Sequence, residues 1–357
     1  MKTSSFLFTP LKIRDVTFRN RIFVSPMCQY SACEGIPYEW HLVHLGSRAV
    51  GGAGLVMAEA TAVSAPGRIS PADTGLWSEA QVSGFRPITR FIKSQGAIPG
   101  LQLAHAGRKG STAEPWKGGM ALSVSEKGWN VIAPSAIPFS SQSIVPRMMD
   151  EKDLAKLVAD FENSTKLALA AGFEVLELHM AHGYLLHEFL SPLSNERQDE
   201  FGGSLENRMR LPLKIAKQVR QLWPKHLPLF VRISATDWVE GGWDLSQSLV
   251  FCSELKTHGI DLIDVSSGGS SPDAKIPVGP GFQIPFAKSI REEVGILTGA
   301  VGLITEAMQA EEVLKSGCAD AVFLGREFLR DPYFPLHAAK ELGADIAWPP
   351  QYERAKR

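Results

Sequence analysis

The chain has 357 residues, of which 44% are apolar and 21% charged, and its formal net charge is −1. That composition suits a globular protein with a large core, and the charge balance excludes electrostatic capture of nucleic acid or an anionic membrane as a default function. Cys28, Cys33, Cys252 and Cys318 make neither a CxxC pair nor a zinc-ligand spacing, no apolar run is long enough to span a bilayer, and residues 1–6 lead into no signal-peptide run, so the expectation is a reduced, cytoplasmic protein without a metal site.

In chain order, short β-rich apolar runs alternate with longer amphipathic stretches. Strands are predicted at 22–27, 55–61, 98–104, 175–179, 229–234, 262–266, 296–299 and 321–325. Helices are predicted at 79–95, 151–171, 205–223, 246–258, 285–293 and 305–316, where apolar residues recur at three- and four-residue spacing, as in Leu154, Leu157, Val158 and Phe161. The strands read as nearly continuous apolar runs, which suits parallel strands buried on both faces. Eight strand–helix units predict a (β/α)8 TIM barrel in the α/β class, a single domain over 1–357 with its core at about 20–343. An open doubly wound sheet is the alternative, weakened because no GxGxxG follows the first strand. Long loops are expected after strands 3 and 4, at 106–144 and 193–203. Loops of that size in a compact domain are usually functional.

The predicted strands end in polar or small residues, and in a barrel those ends form the catalytic face. His179 and His182 close the fourth strand, and two imidazoles there can donate to one carbonyl or phenolate oxygen. They suit a metal as well, although no HExxH helix or acidic partner completes such a site. Tyr184 follows two residues later, a phenol able to protonate a carbanion. Cys28, after Ser25, Pro26 and Met27, is either a small buried hydrophobe or a thiol set against a cofactor. Gln102 and Arg232 end the third and fifth strands. An inward arginine needs an anion, either a ligand or a carboxylate such as Asp237 or Glu177. Gly299 and Gly302 follow strand seven, and Gly325 and Arg326 follow strand eight. Glycines in those two loops suit a phosphorylated ligand, FMN or a sugar phosphate alike.

Taken together, the residues resemble a family. Ser25-Pro26-Met27-Cys28-Gln29-Tyr30, Gln102 through Lys109, His179-Met180-Ala181-His182-Gly183-Tyr184, Asn195-Glu196-Arg197 with Gly202-Gly203-Ser204, Glu206-Asn207-Arg208, Val231-Arg232-Ile233-Ser234 and Gly325-Arg326-Glu327 are similar to motifs of the old yellow enzymes. Cysteine at 28 resembles the bacterial, thermophilic-like branch. The resemblance implies a TIM barrel with FMN across its mouth and NADPH or NADH as a transient hydride donor. Ser25, Pro26, Met27, Cys28 and Ala60 would line the flavin, and Gln102 would bind its pyrimidine edge. Arg232 would stand by N1/O2, while Gly302, Gly325 and Arg326 would hold the phosphate. His179 and His182 would grip a substrate oxygen, Tyr184 would deliver a proton, and Tyr30 would close over the ligand. Arg354, in the tail at 344–357, would reach a neighbouring subunit's site, which implies a homodimer or homotetramer.

The implied activity is ene-reduction of α,β-unsaturated carbonyl or nitro compounds by a ping-pong route. Reduction of nitrate esters, nitroaromatics or quinones is the alternative within redox chemistry. A metal-dependent barrel hydrolase is the alternative outside it. The segment 116–132, with Trp116 and Trp129, is longer than in many relatives and leaves the substrate preference open.

Overall fold

The computed structural model describes residues 5–356. Eight parallel strands close into a barrel: β1 (Ile22–Val24), β2 (Leu55–Ala62), β3 (Ile98–Ala104), β4 (Val175–Met180), β5 (Leu229–Ser234), β6 (Leu262–Ser266), β7 (Leu297–Ala300) and β8 (Ala321–Leu324). The last pairs with the first through Val322 to Ile22, Phe323 to Phe23 and Leu324 to Val24. Closure leaves no free edge, so all eight strands are buried nearly end to end, as their apolar runs require.

Six helices fall where periodicity predicts them: α2 (Glu79–Ser94), α3 (Glu151–Ala170), α4 (Leu205–Leu222), α5 (Leu245–Thr257), α6 (Ile284–Val294) and α7 (Ala307–Lys315). Helix α1 (Glu39–Val50) and α8 (Phe334–Glu341) escape the pattern. The inward face of α1 buries His41, His44 and Arg48, polar residues that mask an amphipathic period. A short helix, Leu185–Leu190, is buried on every side and so has no stripe to detect.

An N-terminal hairpin, Leu11–Ile13 with Val16–Phe18, plugs the floor of the barrel. Its Phe18 ring lies 4.8 Å from that of Phe23 and 6.4 Å from that of Phe230. The opposite end is left to polar groups. The first strand stops at Val24, three residues short of the predicted end. Ser25 adds one more bond, its N–H to the Leu324 carbonyl at 2.9 Å, and Pro26 then has no N–H to continue the ladder. Strand β2 carries an irregularity between Ala58 and Ala60 that leaves Glu59 unpaired in the ladder. The freed Glu59 carboxylate accepts the Gln29 N–H at 2.8 Å and lies 3.2 Å from His41 Nε2, which ties the loop bearing Cys28 and Tyr30 to the barrel.

Candidate active site

The two histidines at the end of β4, His179 buried and His182 partly so, meet at a right angle, with ring centroids 5.2 Å apart. Each ring has a defined partner. The Ala181 N–H donates to His179 Nδ1 at 3.3 Å, so the proton of neutral His179 sits on Nε2. His182 Nε2 lies 2.7 Å from the Ser266 hydroxyl, and the Ser266 contact to Gln283 Oε1 is long at 3.4 Å. When the hydroxyl turns its hydrogen to Nε2, the His182 proton sits on Nδ1. Burial first, then the Arg232 charge, hold both imidazoles well below their ordinary pKa, so both stay neutral. Two neutral rings, each with an N–H to offer, can clamp one oxygen.

The turn that carries them is tightly held. His182 and Gly183 both have positive φ, +60° and +69°, and any side chain at 183 would run into the Gly269 carbonyl. The His182 N–H donates to Ser234 Oγ at 2.9 Å. Lys109 Nζ donates to the carbonyls of His182 (2.8 Å) and Gly269 (3.0 Å). The Gly183 N–H donates to His187 Nδ1 at 2.9 Å, and the other nitrogen of His187 lies 3.2 Å from Asp237 Oδ1 in the buried interior. Tyr184 follows, its ring 5.0 Å from that of His179 and 5.0 Å from Lys109 Nζ. Burial raises its phenol well above the usual value and keeps it protonated.

Arg232 is buried and bonds Ser25 Oγ at 2.9 Å through Nη1. Its carboxylate is neither Asp237, which serves His187, nor a direct contact with Glu177. It is Asp264 on the neighbouring strand β6, 3.4 Å from Nε. Gln102 Nε2 donates to Glu177 Oε1 at 2.7 Å. Burial pushes Glu177 up to about 8 and Asp264 up to about 6, and the Arg232 charge works against both shifts. Burial also raises the Cys28 thiol, so it is no thiolate nucleophile at neutral pH.

Beyond the carboxyl ends of β7 and β8 lies a cavity of about 230 Å³ lined by Gly302, Gly325, Arg326, Gln283 and Ser266 among others. Arg326 has no ion-pair partner among the described residues. A Cβ on Gly325 would meet only Met27 and Ser25 at ordinary contact distance, so the backbone there is open to a ligand. An unpaired guanidinium beside open backbone suits a phosphate, and the buried Arg232 charge, which reaches Asp264 only at 3.4 Å, suits a flavin ring that becomes anionic on reduction. The residues present fit FMN.

A second cavity, of about 480 Å³, opens between Tyr30 and Tyr184 and the long loop after β3. Ala60 and Tyr184 also share a small hollow with Asp73. Arg354 lies on the exposed tail and lines none of these cavities. Asp264, Ser266, His187 and Lys109 are the residues that reading the chain left without a role. Asp264 alone carried a signal, a charge inside an otherwise apolar strand.

The polar groups gathered toward the carboxyl ends of the strands mark the mouth as that of a cofactor-using barrel enzyme. Residues 6–345 match the model of the NADH:flavin oxidoreductase / NADH oxidase family. The chain is 50% identical to an NADPH dehydrogenase of a Geobacillus species, over 99% of both chains. It is also similar to the solved old yellow enzyme homologue of Zymomonas mobilis (27% identity, TM-score 0.78, 96% of this chain and 94% of that one). Morphinone reductase in complex with tetrahydroNAD is a third likeness (26% identity, TM-score 0.79, 97% and 93%). The chain belongs to the NADH:flavin oxidoreductase / NADH oxidase family and is an old yellow enzyme-like NAD(P)H oxidoreductase. FMN and NAD(P)H are its cofactors. Among the described residues no three His, Cys, Asp or Glu side chains gather as a metal-ligand set, and no helix is long and apolar enough to cross a membrane.

Proposed function

We propose that the enzyme reduces the activated C=C bond of α,β-unsaturated carbonyl or nitro compounds. The observation that carries this reading is the pair of neutral imidazoles, His179 and His182, each with a fixed partner on one nitrogen, beside a protonated Tyr184. When bound, FMN would supply the hydride, taken from NADPH or NADH, that reduces the β-carbon. His179 Nε2–H and His182 Nδ1–H hold the carbonyl or nitro oxygen and stabilise the charge that develops there. Preorganised donors of this kind contribute ~3–4 kcal/mol each. The Tyr184 hydroxyl gives its proton to the α-carbon and is reprotonated from solvent.

In this reading Ser25, Pro26, Met27, Cys28 and Ala60 line the flavin, and Gln102 meets its pyrimidine edge. Arg232 would offset the charge of the reduced flavin, and Gly302, Gly325 and Arg326 would hold the phosphate. Tyr30 covers the substrate. The nicotinamide and the alkene occupy the same clamp in turn, which gives ping-pong kinetics. Arg354 completes the site of a second subunit in a homodimer or a dimer-built tetramer. Its test is sedimentation velocity together with the KM of Arg354→Ala, and a monomer with unchanged KM removes that role.

The experiment for the activity is anaerobic. Enzyme reduced by one equivalent of NADPH is mixed with 2-cyclohexenone, and flavin absorbance is followed together with the saturated ketone. Reoxidation with stoichiometric product is expected. Reduced enzyme that is unchanged by enones and nitroalkenes overturns the reading.

A further inference from the structure

The long loop after β3 is built as a strap. Thr112 and Ala121 bridge, the Ala113 N–H donates to the Met120 carbonyl at 2.8 Å, and the Leu122 N–H donates to the Ser111 carbonyl at 2.8 Å. Gly118 and Gly119 turn the tip with φ of +100° and +64°. The strap is anchored beyond its base. Trp129 Nε1 donates to the Pro66 carbonyl at 2.9 Å, and the Arg68 guanidinium sits 5.3 Å from the Trp129 ring and 5.5 Å from that of Trp77. At its tip Trp116, 66% exposed, meets the Tyr30 ring edge-on at 5.8 Å and 82°. Tyr30 itself has φ of +49°, a backbone setting that a bulky residue keeps only when its neighbours hold it.

Beneath the strap lies the cavity of about 480 Å³. Tyr30 and Tyr184 form one wall, and Pro115 and Met120 of the strap, with Phe139 and Ile144, form the others. Its volume lies within the ~300–1,000 Å³ of pockets that enclose drug-sized ligands, more than a single reacting ring occupies. No Asp or Glu lines it, whereas Arg108 and Lys109 do. Lys109 Nζ sits 4.6 Å from the Phe139 ring and 5.0 Å from the Tyr184 ring. Two cations without a lining acid, beside aromatic walls, disfavour a further positive charge and leave neutral or anionic groups acceptable.

We propose that the strap of residues 112–121 completes a subsite for the substituent borne by the alkene. The subsite takes flat, aryl-sized apolar groups, neutral or anionic, and rejects cations. Trp116 sets it as a specificity-determining residue by holding Tyr30 in place. The substituent's being that of an alkene rests on the ene-reductase reading, but the cavity's preference can be read without turnover.

The test uses the FMN holoenzyme, Trp116→Ala and Trp116→Phe. Titration with phenol and with 4-phenylphenol, followed by the flavin charge-transfer band, gives a preference ratio. The wild type is expected to favour 4-phenylphenol about tenfold or more, Trp116→Ala to lose most of that ratio, and Trp116→Phe to restore it. Turnover of 4-phenyl-3-buten-2-one against 2-cyclohexenone should shift in parallel, through KM. Analogues bearing a ring carboxylate should bind at least about tenfold better than those bearing a trimethylammonium group. A preference ratio unchanged in Trp116→Ala, or equal binding of the two charged analogues, overturns the proposal. Absence of turnover with both alkenes while the binding ratios hold overturns ene-reduction alone.

Discussion

Ser266 Oγ lies 2.7 Å from His182 Nε2, so hydroxyl and ring share one hydrogen, and which of them supplies it sets whether Nδ1 carries a proton. With the serine donating, the ring offers Nδ1–H; without it, the proton is free to move to Nε2, away from the clamp. Ser266→Ala is therefore expected to weaken phenol binding by about 2- to 10-fold, the equivalent of one hydrogen bond's net ~0.5–1.5 kcal/mol, while FMN remains bound. Phenol titration of the flavin-loaded variant is the measurement. Wild-type affinity would show that the serine does not set the tautomer.

In the proposed mechanism Tyr184 acts in the second half-reaction alone. Its phenol stays protonated because burial disfavours the phenolate, and it adjoins the histidine clamp. Tyr184→Phe keeps the ring contacts to His179 and Lys109 and removes only the acid. Reoxidation by 2-cyclohexenone is expected to slow about a hundredfold or more, and reduction by NADPH to change little. Stopped-flow traces of the two half-reactions separate these outcomes, and equal slowing of both would argue that Tyr184 positions ligands instead of donating a proton.

The barrel was legible from the chain because burial on both faces forces unbroken apolar runs, and six of the helices because a single buried stripe imposes its period. Helix α1 was hidden by its buried His41, His44 and Arg48, which interrupt the apolar stripe, and Glu59 beside His41 and the Phe328 carbonyl beside Arg48 come from other parts of the chain. The candidate site was legible where a polar residue interrupts an apolar run near the carboxyl end of a strand, as His179, Gln102 and Arg232 do. Their supports were not. Ser266 beside His182, Asp264 beside Arg232 and His187 beneath Gly183 depend on which strands become neighbours and on how one turn bends, and no local spacing encodes either. The strap shows the same limit: Trp116 and Trp129 stand out as residues, but their contacts with Tyr30 and Arg68 cross more than sixty positions.

The buried carboxyls give the apoprotein a pH-dependent stability whose sign can be worked out. Burial raises Glu177 and Glu188 to about 8 each and Asp73 to about 7. An acid whose folded pKa is raised contributes stability that is fully present below its ordinary pKa and is lost as pH rises through the folded value. The apoprotein is thus expected to lose stability progressively from about pH 5 to about pH 8. Lys109, lowered by burial to about 8, acts in the opposite sense and regains stability only above that pH. Glu188 Oε1 accepts the Arg108 N–H at 2.9 Å, an acceptor that glutamine retains, while Oε2 has no hydrogen-bond partner. Glu188→Gln should therefore flatten the slope, by at most about 1.4 kcal/mol per pH unit, with little loss at pH 5. Denaturant midpoints across that range test it, and a slope equal to the wild type's would show that Glu188 does not ionise in the window.

Arg232 is the cation that makes the remaining carboxyls tolerable. Its Nε is 3.4 Å from Asp264, and its charge also opposes the rise at Glu177, so removing it strands two buried acids with no nearby compensation. Breaking a buried pair by deleting one partner costs about 3–5 kcal/mol, far more than the pair itself contributes over an apolar substitute. Arg232→Met is expected to destabilise the apoprotein by that amount at pH 8, which is above the raised value of Asp264 and at that of Glu177. At pH 5.5, where both acids can take up protons, the loss should be smaller. Adding Asp264→Asn removes one of the stranded charges and should recover part of the loss at pH 8, although Glu177 remains. Urea denaturation of the single and double variants at the two pH values measures all four quantities. A penalty independent of pH, or a double variant no more stable than the single one, would mean that Arg232 stabilises the mouth through its bond to Ser25 and its packing, with the carboxyls already neutral in the wild type.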